Sequence, residues 1–311
     1  MTALICGSFA YDNIMVFPGQ FKNHILPEKV HILNVSFMVP ELRREFGGCA
    51  GNIAYNLNLL DKHAALPMGT VGVDFDPYAC WMDRNGVSRR HVTVMDGTFT
   101  AQAFITTDLD DNQITAFHPG AMEFSHHYRL PDMEGITIGM VSPDGREGML
   151  QHANQFVEAG IPFIFDPGQG MPMFDGSSLT HFIDQAAWVT VNDYEWQLMQ
   201  ERTGLSPHDI TERVKALIIT RGGDGSVIYV QDKRYEIPAA TPKAVEDPTG
   251  CGDAYRAGLL YGLLNELDWE TTGRIASLLG AIKIESHGTQ NHVFTLDEFR
   301  TRFKENFGYY F

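Results

Sequence analysis

The sequence predicts an α/β protein in which a mostly parallel central sheet is covered by helices on both faces, in one domain spanning 1–311. Short apolar runs ending in Gly, Ser, Asp or Asn alternate with stretches of helical periodicity along most of the chain. Those runs are apolar with little interruption, as strands buried on both faces must be. Only two segments, about 14–46 and 96–120, place strand patterns where a helix is due.

In chain order, "ALICG" reads as a first buried strand and "GNIAYNLNLLD" (51–61) as a helix with Ile53, Leu57 and Leu60 on one face. "AALPMGTVG" (64–72) is the next strand, and "DPYACWMDRNG" (76–86) a helix closed by Gly86. Within the first interruption, "VHILNVSFMV" is β-rich. Within the second, residues 98–118 alternate on either side of "DLDDN", as a hairpin does. Strands inserted in this way form a small separate sheet, expected here to act as a lid. Beyond residue 135, "GITIGMVS", "IPFIFDPG", "AAWVTVN" and "VKALIIT" are strands. "GMLQHANQFVEAG", "DYEWQLMQERTG", "AYRAGLLYGLLNEL" and "TTGRIASLLGAIKIES" are helices, and a last helix lies near 295–306. "TRGGDG" turns one strand into a hairpin partner.

The 311 residues hold 23 Lys and Arg against 39 Asp and Glu, a formal charge of −16. A nucleic-acid backbone is therefore excluded as the main partner, because such binding neutralises phosphates with cations. A small phosphate ligand is not excluded, since backbone N–H groups and a metal ion can hold one. Cys6, Cys49, Cys80 and Cys251 are widely spaced and form no CxxC pair. Reduced thiols in a cytoplasmic protein are expected, with neither a zinc site nor a disulfide framework. The first residues read as a strand and lack a basic signal region, and no run reaches the roughly 18 apolar residues of a membrane span.

The densest chemistry lies in "EDPTGCGDAY" (246–255), directly before an apolar helix. Gly250, Cys251 and Gly252 are small enough for successive amides to point one way at a helix N-terminus, where partial positive charge suits a phosphoryl oxygen. A carboxylate beside such a hole would repel a merely bound phosphate, but it suits a general base that takes a proton from an attacking hydroxyl. Asp253 is that candidate, and an N-cap role is the alternative at equal weight on local spacing alone.

"DPTGCGDAYRAGLLYGL" resembles the C-terminal signature of the PfkB, or ribokinase-type, carbohydrate kinases. "FGGCAGNIAYNLNLL" (46–60) is similar to that family's N-terminal signature, and the two stand in the family's order. The resemblance implies a ribokinase-like three-layer α/β/α fold with a small β lid, and an ATP-dependent kinase using Mg²⁺. It implies Asp253 as catalytic base and Gly250, Cys251 and Gly252 as an anion hole. Asp247 and Thr249 match positions that in many members help to hold a monovalent cation such as K⁺. Pro248 and Cys251 depart from the usual pattern, and Pro248 removes a donor from that turn. In "NDYE", Asn192 and Glu195 match a motif whose Glu organises Mg²⁺ through water; read without the resemblance, they form a helix capping box. Thr220, Gly222 and Gly225 match a loop at the nucleotide phosphates. Asp12, just past the first strand, matches the acid that accepts from two sugar hydroxyls, and Gly47, Gly48 and Asn52 match further sugar contacts.

"SFMVPELRREFGGCAGNIAYNLNLL" and "DPGQGMPMFDG" (166–176) resemble bacterial adenosine-kinase-like nucleoside kinases more than ribokinases. Transfer of the ATP γ-phosphate to a nucleoside 5′-hydroxyl is therefore expected. A free-sugar kinase of fructokinase or ribokinase type is the alternative, and a catalytically silent ligand sensor a third reading. A nucleobase needs an apolar slot, for which Phe9, Phe104 and Phe117 are candidates, with Gln102, Asp144 and Asp166 as polar contacts. A monomer, or a homodimer through the lid, is expected.

Overall fold

The computed structural model describes residues 1–25, 34–110 and 112–311. The chain opens with β1 (Thr2–Cys6), β2 (Ala10–Val16), β3 (Leu42–Gly47) and α1 (Cys49–Leu60). There follow β4 (Ala65–Val71), α2 (Asp76–Arg84), β5 (His91–Val94), β6 (Ala101–Thr107) and β7 (Gln113–His118). The alternation resumes with β8 (Ile136–Val141), α3 (Arg146–Ala159), β9 (Phe163–Phe165), α4 (Gly176–Gln185), β10 (Trp188–Asn192) and α5 (Asp193–Thr203). It closes with α6 (Pro207–Thr211), β11 (Ala216–Thr220), β12 (Ser226–Val230), β13 (Lys233–Ile237), α7 (Cys251–Leu264), α8 (Trp269–Lys283) and α9 (Leu296–Phe307).

Among the described residues, nine strands form one sheet in the order β13-β12-β11-β10-β9-β8-β1-β4-β5. The run from β5 to β11 is parallel, and β12 and β13 add an antiparallel end. Side chains alternate between two cores, as the pleat requires. Ala3 and Ile5 of β1 pack with α1, α7 and α8 on one face, and Leu4 and Cys6 pack with α3 and α4 on the other. Both faces are thus covered, which explains why the strand sequences read as apolar without a polar beat.

A second sheet, β3-β2-β6-β7, has four strands. Here the structure departs from the sequence reading. Residues 30–33 of "VHILNVSFMV" lie outside the described residues, and 34–39 form no strand. Phe37 is instead held by aromatic contacts, 4.8 Å from Phe17 and 5.0 Å from Phe21 between ring centroids. The strands stand at either end of the segment, and β3 ("LRREFG") escaped notice because its exposed, charged residues carry no apolar alternation. The expected hairpin forms as β6 and β7, antiparallel from Gln102–His118 to Thr107–Gln113. No helix among the described residues is long and apolar enough to cross a membrane.

Candidate active site

Helix α7 starts at Gly250, whose φ of 80° lies in the left-handed region; a Cβ there would come within 3.0 Å of Thr289. Gly250, not Asp253, is the N-cap, and Asp253 sits in the first turn. The Cys251 amide donates to the Pro248 carbonyl at 3.2 Å, while the amides of Gly252 and Asp253 meet no acceptor among the described residues. Two adjacent bare amides at a helix start make a place for an anion.

A chain of side chains from distant segments then fixes the Asp253 carboxylate. The Trp81 indole N–H can only donate, and it does so to the Gln290 side-chain oxygen at 3.1 Å. The Gln290 amide nitrogen therefore faces the other way, donating to Asn52 Oδ1 at 2.9 Å and to the Tyr78 hydroxyl at 2.5 Å. Asn52 in turn must point its own nitrogen outward, and it donates to Asp253 Oδ2 at 2.8 Å. One donor-only ring thus orients two amides and delivers a donor to the carboxylate. Burial drives the Asp253 pKa up to about 6, with Asp166 adding to the rise and Asn52 and Arg256 opposing it. A base with a pKa near neutrality is suited to proton abstraction.

Asp253, Asp12, Gly48, Asn52, Thr249 and Gly250 line one cavity of about 930 Å³. Asp12 stands on β2 beside Gly47, where a Cβ would lie 2.8 Å from Asp12 Oδ2. Its carboxylate accepts no hydrogen bond among the described residues, and burial, with Glu45 and Asp247, pushes its pKa up to about 6. Asp144 also lines the cavity. It accepts from the Gly145 amide at 2.9 Å, its other oxygen is buried without a partner among the described residues, and burial raises its pKa to about 7.

Side-chain facing separates the remaining acceptor-side candidates. Ala103 and Ile105 of β6 and Thr115 and Phe117 of β7 face the cavity. By the two-residue period Gln102 and Phe104 face away, and Gln102 donates to Asp74 at 3.0 Å. Phe9 is fully buried against Phe75 and Tyr78. Asp166, expected as a substrate contact, lies outside the lining: both its oxygens accept from Arg256, at 3.0 Å each.

A second cavity, of about 420 Å³, lies across the same helix start, lined by Thr220, Gly222, Gly225, Pro248, Cys251 and Gly252 among others. Asn192 is paired in register with Thr220 through β10 and β11. Asn192 and Glu195 do form the capping box: each backbone amide donates to the other's side chain, at 2.8 and 2.7 Å. Glu195 also approaches Arg256, 3.9 Å away, and burial raises its pKa.

Arg256 is the residue that sequence reasoning passed over. It is 5% exposed and faces three carboxylates, those of Asp166, Glu195 and Asp253. Its sequence signal is a lone cation in an otherwise apolar helix, one turn after Asp253. Three carboxylates against one guanidinium leave an excess of negative charge around Arg256. Among the described residues no three His, Cys, Asp or Glu side chains are placed to hold a metal ion directly, so Glu195 would serve a divalent cation through water.

Behind the loop, Asp247 accepts from the amides of Thr249 and Gly288, each at 2.9 Å. The Lys283 ammonium donates to the backbone carbonyls of Asp247 at 2.8 Å and Ser286 at 3.0 Å, and Lys283 is fully buried. The Lys283 ammonium thus lies beside Asp247, one of the two residues expected to help hold a monovalent cation.

The model of the pfkB family carbohydrate kinases matches residues 23–295. The nucleoside kinase of Methanocaldococcus jannaschii is 31% identical over 281 residues, covering 90% of this chain and 92% of that one. Its solved structure aligns with a TM-score of 0.89 over 98% and 99% of the two chains. The nucleoside kinase of Burkholderia thailandensis in complex with inosine is 53% identical over 99% of each chain, with a TM-score of 0.90. The same enzyme in complex with ADP-inosine is 55% identical over 99% of this chain and 97% of that one, with a TM-score of 0.87.

Proposed function

The chain belongs to the pfkB carbohydrate kinase family and has its ribokinase-like fold, and on that premise we propose that it transfers the ATP γ-phosphate to the 5′-hydroxyl of a nucleoside. The observation that carries this reading is the meeting of two cavities at the start of α7, with Asp253 on the side of Asp12 and the Cys251–Gly252 backbone on the other. The acceptor occupies the larger cavity and ATP the smaller. Asp12 accepts from vicinal ribose hydroxyls, and Phe117, Asp144 and Gln169 border the space left for a base.

In this scheme Asp253 takes the 5′-hydroxyl proton as that oxygen attacks the γ-phosphorus. The bare amides of Gly252 and Asp253 stabilise the charge that spreads over the phosphoryl oxygens. Bound Mg²⁺ would neutralise part of the phosphate charge, and Glu195 would hold it through water. Thr220, Gly222 and Gly225 border the nucleotide phosphates, with Asn192 beside them. The β3-β2-β6-β7 sheet covers the acceptor and excludes water. The relatives that bear the name nucleoside kinase, one of them holding inosine, support a purine nucleoside as acceptor. Four free cysteines fit a reducing, cytoplasmic setting.

An ATP-consumption panel tests the assignment. Inosine, adenosine and guanosine are expected to be turned over to 5′-monophosphates, with ribose and fructose at least about 100-fold poorer in kcat/KM. Equal turnover of fructose would establish the free-sugar reading instead, and binding without any turnover the sensor.

The orienting chain gives a second expectation. Asn52→Leu removes the donor that holds the Asp253 pKa down, so the acid limb of the kcat profile moves to higher pH by about one unit. An unchanged limb with only KM raised would make Asn52 a substrate contact alone.

A further inference from the structure

We propose that Lys283 supplies from within the chain the positive charge that the loop behind the anion hole would otherwise take from a monovalent cation, so that this kinase works without K⁺. The inference rests on reading 250–253 as the phosphoryl site. Two loops meet there. The loop entering α7 gives the Asp247 carbonyl and carboxylate, and the turn leaving α8 gives the carbonyls of Ile284 and Ser286.

Carbonyl and carboxylate oxygens converging from two loops are the donor type that a hard monovalent cation takes. Here every one of them is already engaged. The Ile284 carbonyl accepts from the amides of Glu246 at 2.9 Å and Asp247 at 3.1 Å. The Asp247 carboxylate accepts from Thr249 and Gly288. The remaining two carbonyls accept from the Lys283 ammonium.

An ammonium bears the same charge as K⁺ but donates hydrogen bonds instead of coordinating. Lys283 is the last residue of α8, where the negative end of the helix favours a cation. Its stem is buried, so the charge cannot depart as an ion can, and ordering it is part of folding. Nearby negative groups are Asp247 and Glu45, and the ammonium also acts on the Cys251 thiol, inside the anion hole itself. Pro248 suits this arrangement. With one N–H fewer and a fixed φ, the turn needs less help to keep the Asp247 carbonyl aimed at Lys283.

The test compares the full-length protein and Lys283→Ala in KCl, NH₄Cl and choline chloride of equal ionic strength. It reads Tm without substrate, and turnover of ATP with inosine. Wild type is expected to show one Tm in all three salts and turnover within about twofold. Lys283→Ala is expected to lose at least about tenfold in choline, to recover part of it in K⁺ or NH₄⁺, and to gain Tm in those salts only. A wild-type enzyme that K⁺ stabilises and activates about tenfold would overturn the proposal, as would a variant that no cation rescues. Lys283→Met, which keeps the stem, serves if the alanine variant does not fold. If no acceptor is turned over, the nucleoside kinase reading fails, while the Tm comparison still decides the role of Lys283.

Discussion

Asp253→Asn is expected to lower turnover by about 10³-fold while leaving the binding of nucleoside and ATP nearly unchanged. The amide keeps the shape of the carboxylate and can still accept from Asn52, so the Trp81–Gln290–Asn52 chain survives. What it cannot do is take a proton. The stability of this variant moves the opposite way from its activity. In the folded protein the Asp253 pKa is raised from 3.8 to about 6, so the charged form is disfavoured by folding. That penalty is absent below the unfolded pKa and fully present once the pH exceeds about 6. Removing it should stabilise the variant by on the order of 3 kcal/mol at pH 8, a gain that fades as the pH falls towards 4. A helix-start carboxylate serving only its helix would give the reverse pattern: little loss of turnover and lower stability. Single-turnover kinetics together with denaturant melts at two pH values separate the two.

Arg256→Met is expected to be the most destabilising substitution in the site, at about 3–5 kcal/mol. The guanidinium is buried and donates to both oxygens of Asp166, so its removal leaves a desolvated carboxylate with no partner and two more nearby. The paired change Asp166→Leu should return a large part of that loss, since well-packed apolar groups replace a buried ion pair with little penalty. Arg256→Met alone should also show the acid limb of its rate profile at higher pH, because Arg256 helps to hold the Asp253 pKa down, whereas the double variant also loses Asp166, which raises it, and should not. Urea midpoints for the two single variants and the double variant check the first claim, and a pH–rate profile the second. If Arg256→Met melts like wild type, the ion pair is not a structural element.

Parallel strands and their crossover helices were legible because each carries its own period and ends in its own turn residues. The capping box at Asn192–Glu195 is of this kind, and so is the Gly204 that closes α5. The small sheet was less legible. Its strand β3 is polar, and its strand β6 was placed correctly while Gln102 and Phe104 were given the wrong face. A period of two allows that error, because a shift of one residue exchanges the faces. In the site, Asp12, Asp253 and the glycines stand at or close to turns whose composition announces them. Arg256, Gln290, Trp81 and Lys283 do not. Each has at least one partner well beyond its own element, as with the 238 residues that separate Gln290 from Asn52. Local pattern holds no record of such pairs. Asp166 was chosen as a polar strand-end residue, and only the fold reveals that a guanidinium has taken it.

Residues 288–292 also tie the site to the order in which the chain is made. Gln290 orients Asn52, Thr289 donates to the Phe46 carbonyl at 2.5 Å and walls Gly250, and the Gly288 amide holds Asp247. Both signature segments, 46–60 and 246–255, are thus pinned by a stretch that is made after them. A nascent chain can build most of its parallel sheet beforehand, since β1, β4 and β8 are neighbours made early. It cannot orient Asn52 against Asp253 until residues 288–292 have been synthesised. Contacts spanning more than 200 residues also place this step late on the folding path, after the scaffold has condensed. A chain that lacks residues 288–292 therefore holds a forming sheet but leaves Asn52, and through it the Asp253 carboxylate, without the contact that orients them.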